Sequence, residues 1–138
     1  MTHDPQLFTA GMHYLLSDIG VWSAASGRAL RAYQAECARA ILSSVVGQEG
    51  RTYTVMFARQ MGKNETSAQL EAYLLRLYAE RGGIIVKAAP SFKPQIITSM
   101  LRLKAVLNAH PLTRGQWQPA YSYMVRLDKS QISFFRAQ

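Results

Sequence analysis

Cysteine, acidic residues and long apolar runs are all scarce in this chain of 138 residues. The single cysteine, Cys37, excludes an intrachain disulfide and is typical of proteins from a reducing compartment. No apolar run approaches the roughly 20 residues that cross a bilayer, so we predict neither a transmembrane segment nor a membrane partner. Residues 1–20 contain no basic leader followed by an apolar stretch, and we therefore expect no secretory signal.

Negative charge is also scarce, because 8 Asp+Glu stand against 16 Lys+Arg and give a formal net charge of +8. Such an excess favours a polyanionic partner such as DNA, through phosphate neutralisation and counterion release, but a merely solvated basic surface accounts for it equally well. The basic residues that could contact DNA are Lys87, Lys93, Arg102, Lys104, Arg114 and Arg126. Solvent exposure explains Arg102 adequately, and no DNA contact is assigned.

His3, His13 and His110 have no metal-ligand spacing, so we expect ordinary surface or hydrogen-bonded histidines.

The spacing of apolar residues predicts alternating helices and strands. Steps of three and four predict helices over residues 5–16, 30–45 and 96–107, and one that opens at Gly62-Lys63 and ends at the glycines 82–83. Short runs rich in β-branched and aromatic residues predict strands over 51–58, 84–88, 121–127 and 131–135, the last two forming a hairpin. Residues 84–88 are apolar apart from Lys87, which predicts a strand covered on both faces. This alternation predicts an α/β fold with a parallel sheet.

The segment that carries chemistry is FARQMGKNE, residues 57–65, where a predicted strand meets a predicted helix. Unpaired amides and the helix dipole at such a junction attract a phosphate, and Gly62 allows close approach of the backbone. Lys63 supplies an ammonium group that can reach the outer phosphates. The match to the P-loop pattern G-x-x-x-x-G-K-[ST] is incomplete, since Phe57 replaces the first glycine and Asn64 replaces the hydroxyl residue. The alternative is an ordinary turn with a solvated lysine.

Three segments resemble elements of phage-type terminase large subunits, in the family's order. ARQMGK (58–63) resembles their variant P-loop, [SA]-R-Q-x-G-K, which also lacks the first glycine. LRAYQ (30–34) resembles the L-R-x-Y-Q adenine-recognition element that terminases share with related helicases. APSFKPQ (89–95) resembles the element after the second strand, where A-P-[ST] precedes a glutamine. We also expect Ser91 to cap the helix that follows.

The resemblance implies an incomplete P-loop NTPase core of three αβα layers with a C-terminal β-hairpin over residues 29–138, after an N-terminal helical and loop extension over 1–28. It implies that Gln34 reads the adenine edge, that Lys63 holds phosphates, and that Arg59 is a cis arginine acting on the γ-phosphate. Tyr33 is expected in the core, with packing near the adenine base as the alternative, and Asn64 is the expected Mg²⁺ ligand. The implied ATP-binding set is Gln34, Arg59, Gln60, Met61, Gly62, Lys63, Asn64 and Glu65.

The function implied by the resemblance is ATP-driven translocation of double-stranded DNA during viral packaging, in the host cytoplasm. The parent protein would act with a portal and a small terminase subunit, and would oligomerise only as a complete motor. The acidic strand needed for phosphoryl transfer and the nuclease domain are absent from the sequence, so we expect negligible ATP hydrolysis by this chain alone. A superfamily 2 helicase or translocase fragment is an alternative. A non-catalytic nucleic-acid-binding module is another, and Asn64 and Glu65 favour it.

Overall fold

The computed structural model describes residues 5–58, 62–120 and 123–137 and shows an α/β fold. The helices within these residues are α1 (Pro5–Leu15), α2 (Ile19–Ala25), α3 (Ala32–Val46), α4 (Lys63–Leu77) and α5 (Ile97–Ala109), and a π-helical turn at Phe92–Ile96 precedes α5. The strands are β1 (Gly83–Ala89), β2 (Trp117–Ala120), β3 (Met124–Leu127) and β4 (Ser130–Arg136). No helix of these described ranges is both long and apolar enough to cross a membrane.

The four strands form one mixed sheet in the order β1-β4-β3-β2. Only β1 and β4 are parallel, from the pair Gly83 and Ser130 to the pair Ala89 and Arg136. The pairs β3–β4 and β2–β3 are antiparallel. A short turn can join only antiparallel neighbours, so the predicted hairpin is confirmed, while the predicted parallel sheet is limited to one pair. Residues 121 and 122 of the predicted third strand lie outside the described residues.

The strand predicted over residues 51–58 is wrong. The segment has no regular secondary structure, and Met56 is 88% exposed. A strand forms only where a neighbouring strand offers its backbone donors and acceptors, and none of the described strands does so here. The Tyr53 hydroxyl instead donates to the backbone oxygen of Ala40, 3.1 Å away, which holds the segment against α3. The described residues therefore do not contain the strand that was expected to lead into the phosphate-binding turn.

The prediction that both faces of the strand over 84–88 are covered is also wrong. Exposure alternates along β1, where Ile84 is 73% and Val86 is 60% exposed while Ile85 and Lys87 are half-buried. The same alternation continues on β4, where Ile132 is fully buried. Within the described part of the chain, the helices therefore cover one face of this strand pair and leave the other open.

The core lies between the covered sheet face and helices α2, α4 and α5. Its fully buried members include Trp22, Leu75, Leu103, Leu107 and Ile132. Ile19 and Trp22 belong to α2, which lies within the expected N-terminal helical and loop extension over residues 1–28. Helix α2 of the N-terminal extension thus packs into the same core as the sheet, whereas α1 has no buried residue, and the division at residue 28 stays a prediction.

Candidate functional site

A cavity of about 370 Å³ lies between the start of α3 and the start of α4. Its walls include Arg28, Arg31, Gln34, Gly62, Glu65 and Arg102. The cavity thereby joins the LRAYQ segment to the glycine of the P-loop-like turn. A larger cavity of about 570 Å³, bordered by Phe8, Arg76 and Asp128, contains none of the motif residues, so the smaller cavity is the candidate site.

A hydrogen bond between Gln34 and Gly62 connects the two motifs. Nε2 of Gln34 donates to the Gly62 carbonyl oxygen over 3.0 Å, and Oε1 accepts from the backbone N–H of Arg31 over 2.8 Å. Gln34 is buried, with only 5% of its surface exposed. A carboxamide has two N–H donors and two acceptor lone pairs. Among the described residues these bonds use one donor and one acceptor of Gln34, and a second donor and acceptor form the pair that an adenine edge requires.

The backbone of Gly62 is in the left-handed region, with φ 80° and ψ 26°, at the N-cap of α4. Glycine adopts this conformation without steric cost. A Cβ at this position would overlap Nε2 of Gln34. The Gly62 carbonyl oxygen also accepts from the backbone N–H of Thr66 at 3.0 Å and from its hydroxyl at 2.9 Å. The turn therefore requires glycine for its conformation and for the contact with Gln34.

Lys63 and Asn64 are the first two residues of α4, and both are exposed. The first amides of a helix have no partner within the helix and carry its positive dipole end, so this end suits an anion. Lys63 is adjacent to the cavity through Gly62 but is not part of its wall. Arg59, Gln60 and Met61 lie outside the described residues, and their roles stay predictions.

Glu65, in the first turn of α4, is held by three other side chains of the site. Its Oε2 lies 3.5 Å from Nη1 of Arg28 and 3.3 Å from Nη1 of Arg102, and its Oε1 accepts from Nε2 of Gln69 over 3.3 Å. Sequence reasoning missed Arg28 and explained Arg102 by solvent exposure. Glu65 and Arg102 are 37 residues apart, so no local spacing could have indicated the contact.

Tyr33 lies in the cavity wall and is half-buried, so its expected place in the core is wrong. Its ring meets that of Phe57 edge to face, with centroids 5.5 Å apart and planes at 79°. Phe57 is the residue that replaces the first glycine of the P-loop pattern. Tyr33 thus supplies an aromatic ring to the cavity wall and packs against Phe57, which itself does not line the cavity.

The third resembling segment, residues 89–95, follows β1 and is held by hydrogen bonds between its own residues. Oε1 of Gln95 accepts from the backbone N–H of Ser91 over 3.1 Å, and the Ser91 hydroxyl donates to the Lys93 carbonyl oxygen over 2.5 Å. Ser91 occupies the N-cap position of the π-helical turn, but its side chain makes no capping bond there. No residue of this segment lines the cavity.

Two further expectations concern charged and metal-binding residues. Lys87, a candidate DNA contact, is only 25% exposed in its side chain, and its Nζ binds Glu71 Oε2 at 2.6 Å. The Lys87 ammonium group is therefore engaged in a largely buried ion pair and does not point into solvent as a DNA contact would. Among the described residues, no group of three or more His, Cys, Asp or Glu side chains could hold a metal ion.

Protein-family models, curated proteins and solved structures give no match to this chain.

Proposed function

We propose that this chain is the ATP-binding part of a terminase-type DNA-packaging motor, built on a partial P-loop core. The observation that carries the proposal is the hydrogen bond from Gln34 to Gly62, which are 28 residues apart in the sequence. The two segments resemble an adenine-recognition element and a phosphate-binding turn, and the fold brings them to one cavity. A chance Gly-Lys pair would give no reason for that contact.

ATP fits the arrangement in two parts. The adenine edge would bind the remaining donor and acceptor of Gln34. The phosphates would lie at the amino end of α4, where the amides after Gly62 and the Lys63 ammonium group supply positive charge. Arg59 would add charge at the γ-phosphate, as the resemblance implies. Glycine at position 62 leaves room for the Gln34 amide beside this turn, because a side chain there would collide with it.

Magnesium fits the site less well than ATP does. Asn64 offers one amide oxygen, and Mg²⁺ in nucleotide sites is held largely by phosphates and water with one or two protein ligands. The nearest carboxylate, Glu65, is already paired with Arg28 and Arg102. No catalytic step is therefore assigned to the metal, and we propose that this chain alone binds ATP without turning it over. Translocation of double-stranded DNA, with a portal and a small terminase subunit, would belong to the parent protein.

Calorimetric titration with ATP, with and without Mg²⁺, tests the proposal. The Lys63→Ala variant should bind ATP at least about tenfold more weakly. Gln34→Glu keeps the acceptor for Arg31 but cannot donate to Gly62 or to adenine, so it should lose the preference for ATP over GTP. Lys129→Ala, which removes an exposed lysine in the β3–β4 turn, is the matched control and should bind normally. Equal ATP binding by Lys63→Ala and the native chain would refute the proposal.

A non-catalytic nucleic-acid-binding module is the second candidate, and the Glu65 contacts favour it. A carboxylate already pairs with two of the cavity arginines, and the chain carries a net charge of +8. Such a module would give no heat with millimolar ATP but would bind duplex DNA with a steep dependence on salt. A superfamily 2 helicase or translocase fragment would bind ATP through the same two segments, so this titration separates the module from both motors.

A further inference from the structure

Arg28, Glu65 and Arg102 form a cluster on one wall of the cavity, and none of the three motifs accounts for either arginine. Both guanidinium groups approach the same oxygen, Oε2 of Glu65, at 3.5 Å from Arg28 and 3.3 Å from Arg102. The three residues come from separate parts of the fold: the segment before α3, the first turn of α4, and α5. A single carboxylate oxygen of Glu65 is thus the ion-pair partner of both arginines.

The carboxylate of this cluster is fixed from its buried side. Oε1 of Glu65 accepts from Nε2 of Gln69, which is fully buried. The Glu65 side chain is 19% exposed, whereas the side chains of Arg28 and Arg102 are each 41% exposed. The arginines therefore retain far more contact with solvent than the carboxylate does.

Within the described ranges, the ion pair with Glu65 engages only part of the hydrogen-bonding capacity of the two arginines. A guanidinium group has five N–H donors, and Glu65 is the only ion-pair partner of Arg28 and of Arg102 among the described residues. Arg31 brings a third positive charge to the same cavity, against one carboxylate. Phosphate binds arginine in a bidentate manner and can carry more charge than a carboxylate. The cavity thus favours an anion that is richer in charge than Glu65.

We propose that Arg28 and Arg102 are phosphate-binding residues, and that Glu65 is the counter-ion that holds them until a nucleoside triphosphate displaces it. This inference rests on the proposed function of the cavity and adds two ligands from outside the P-loop-like turn. Glu65 weakens nucleotide binding, because the phosphates compete with its carboxylate and are repelled by its charge. Removing that charge strengthens the binding of phosphates and leaves the binding of an uncharged nucleoside unchanged.

The experiment compares the calorimetric affinities of ATP, tripolyphosphate and adenosine. Glu65→Gln should bind ATP and tripolyphosphate about tenfold more tightly than the native chain. Arg28→Ala and Arg102→Ala should each bind both anions about tenfold more weakly. Adenosine should bind all four proteins alike. The effect of Glu65→Gln should also shrink at high salt, since salt screens the partly exposed charges of this cluster.

Glu49→Gln is the matched control, because Glu49 pairs with Arg51 at 3.1 Å outside the cavity, and its ATP affinity should be unchanged. An equal change for adenosine and ATP in Glu65→Gln would mean that the cluster only supports the fold, and would overturn the inference. ATP binding by the native chain without tightening in Glu65→Gln would also overturn it, while leaving the proposed function intact. Absence of ATP binding in both proteins would overturn the two together.

Discussion

The side chain of Gln34 on α3 packs directly against the backbone of Gly62 at the start of α4. The Gln34 amide donates to the Gly62 carbonyl oxygen over 3.0 Å, and it occupies the space that a Cβ on Gly62 would need. Gly62 also has φ 80°, a left-handed conformation that other residues adopt at a cost. Two separate effects therefore restrict this position to glycine, and they can be measured separately.

Gly62→Ala should lower the free energy of unfolding more than Gly115→Ala does. Gly115 has a similar φ of 73°, but no atom beyond its two chain neighbours lies within 4 Å of the place that its Cβ would take, so its substitution carries the backbone strain alone, about 1 kcal/mol. Gly62→Ala adds the overlap with Gln34, and we expect about 2–3 kcal/mol in total. Urea denaturation of both variants gives the comparison. Equal losses would show that Gln34 moves aside without cost.

A second prediction concerns the buried ion pair between Glu71 on α4 and Lys87 on β1. Their charged atoms are 2.6 Å apart, and the Ser67 hydroxyl donates to the same carboxylate oxygen. Burial raises the pKa of Glu71, although Lys87 acts in the opposite direction. Lys87→Met would leave this carboxylate without its counter-ion, which typically costs about 3–5 kcal/mol near neutral pH.

The pH dependence of that loss follows from the direction of the pKa shift. With Lys87 gone, folded Glu71 takes up a proton more readily than unfolded Glu71, so the variant should approach the native stability as the pH falls from 7 to 5. The double variant Lys87→Met/Glu71→Leu should recover most of the loss at pH 7. Urea denaturation of the native chain and both variants at each pH checks this. A pH-independent difference would exclude the titration of Glu71 as the cause.

Helices α1, α3, α4 and α5 could be predicted from the sequence because their signal is local, whereas the short α2 was not predicted. Apolar steps of three and four marked α3, α4 and α5. The segment over residues 51–58 has an equally clear strand composition, yet it forms no strand. Strand formation depends on a neighbour that is often far away in the sequence, and composition does not indicate whether one is present. For the same reason, the apolar run of β1 did not reveal that Ile84 and Val86 are exposed.

The candidate site likewise contains residues that the sequence indicates and contacts that it does not. Gln34 and Gly62 could be found because each belongs to a short pattern with a known chemical role. The approach of Arg28 and Arg102 to Glu65 could not be found, since it depends on how α5 and the segment before α3 pack around α4. Local spacing identifies the residues of a motif, whereas the charges around the motif are set by tertiary packing.

A third prediction concerns Asp18, the N-cap of α2. Its carboxylate accepts from the backbone N–H of Gly20 at 2.9 Å and pairs with Arg39 through both oxygens, at 2.7 and 2.9 Å. Asp18→Ala should cost about 1 kcal/mol of unfolding free energy, because the cap is lost. Asp18→Asn keeps a cap acceptor and should cost less, since the ion pair is solvent-accessible. Thermal unfolding of the two variants checks the order, and a reversed order would contradict the assignment of the cap.

A fourth prediction concerns the open face of the sheet, where Ile84 is 73% and Val86 is 60% exposed. Exposed apolar residues on a strand with an unpaired edge favour self-association. The double variant Ile84→Thr/Val86→Thr should self-associate less in sedimentation velocity, with unfolding free energy changed by less than about 1 kcal/mol. Ile132→Thr, on the covered face and fully buried, is the contrasting control and should cost about 2–4 kcal/mol. Unchanged association of the double variant would place the contact elsewhere.

The last prediction concerns His110, which is fully buried and stacks on Trp22 with ring centroids 3.5 Å apart. Nδ1 accepts from the backbone N–H of Leu112, so the proton lies on Nε2 and points to the Trp22 carbonyl oxygen at 3.0 Å. Both ring nitrogens are satisfied in the neutral form, which confirms the expectation of a hydrogen-bonded histidine. Burial is the main reason that the pKa of His110 falls to about 4, and the positive charge of Arg114 lowers it further.

Because the pKa of His110 is lower in the folded chain, the unfolded chain binds more protons between about pH 4 and the ordinary value of 6.5. Stability from this residue is therefore complete above pH 6.5 and falls as the pH drops, by about 2 kcal/mol between pH 7 and pH 5. His110→Gln can keep a hydrogen bond to Trp22 but cannot titrate. It should be less stable at pH 7, because the stacking is lost, yet should lose about 2 kcal/mol less than the native chain between pH 7 and pH 5. Urea denaturation at the two pH values measures both slopes, and equal slopes would show that His110 does not control the acid sensitivity of the fold.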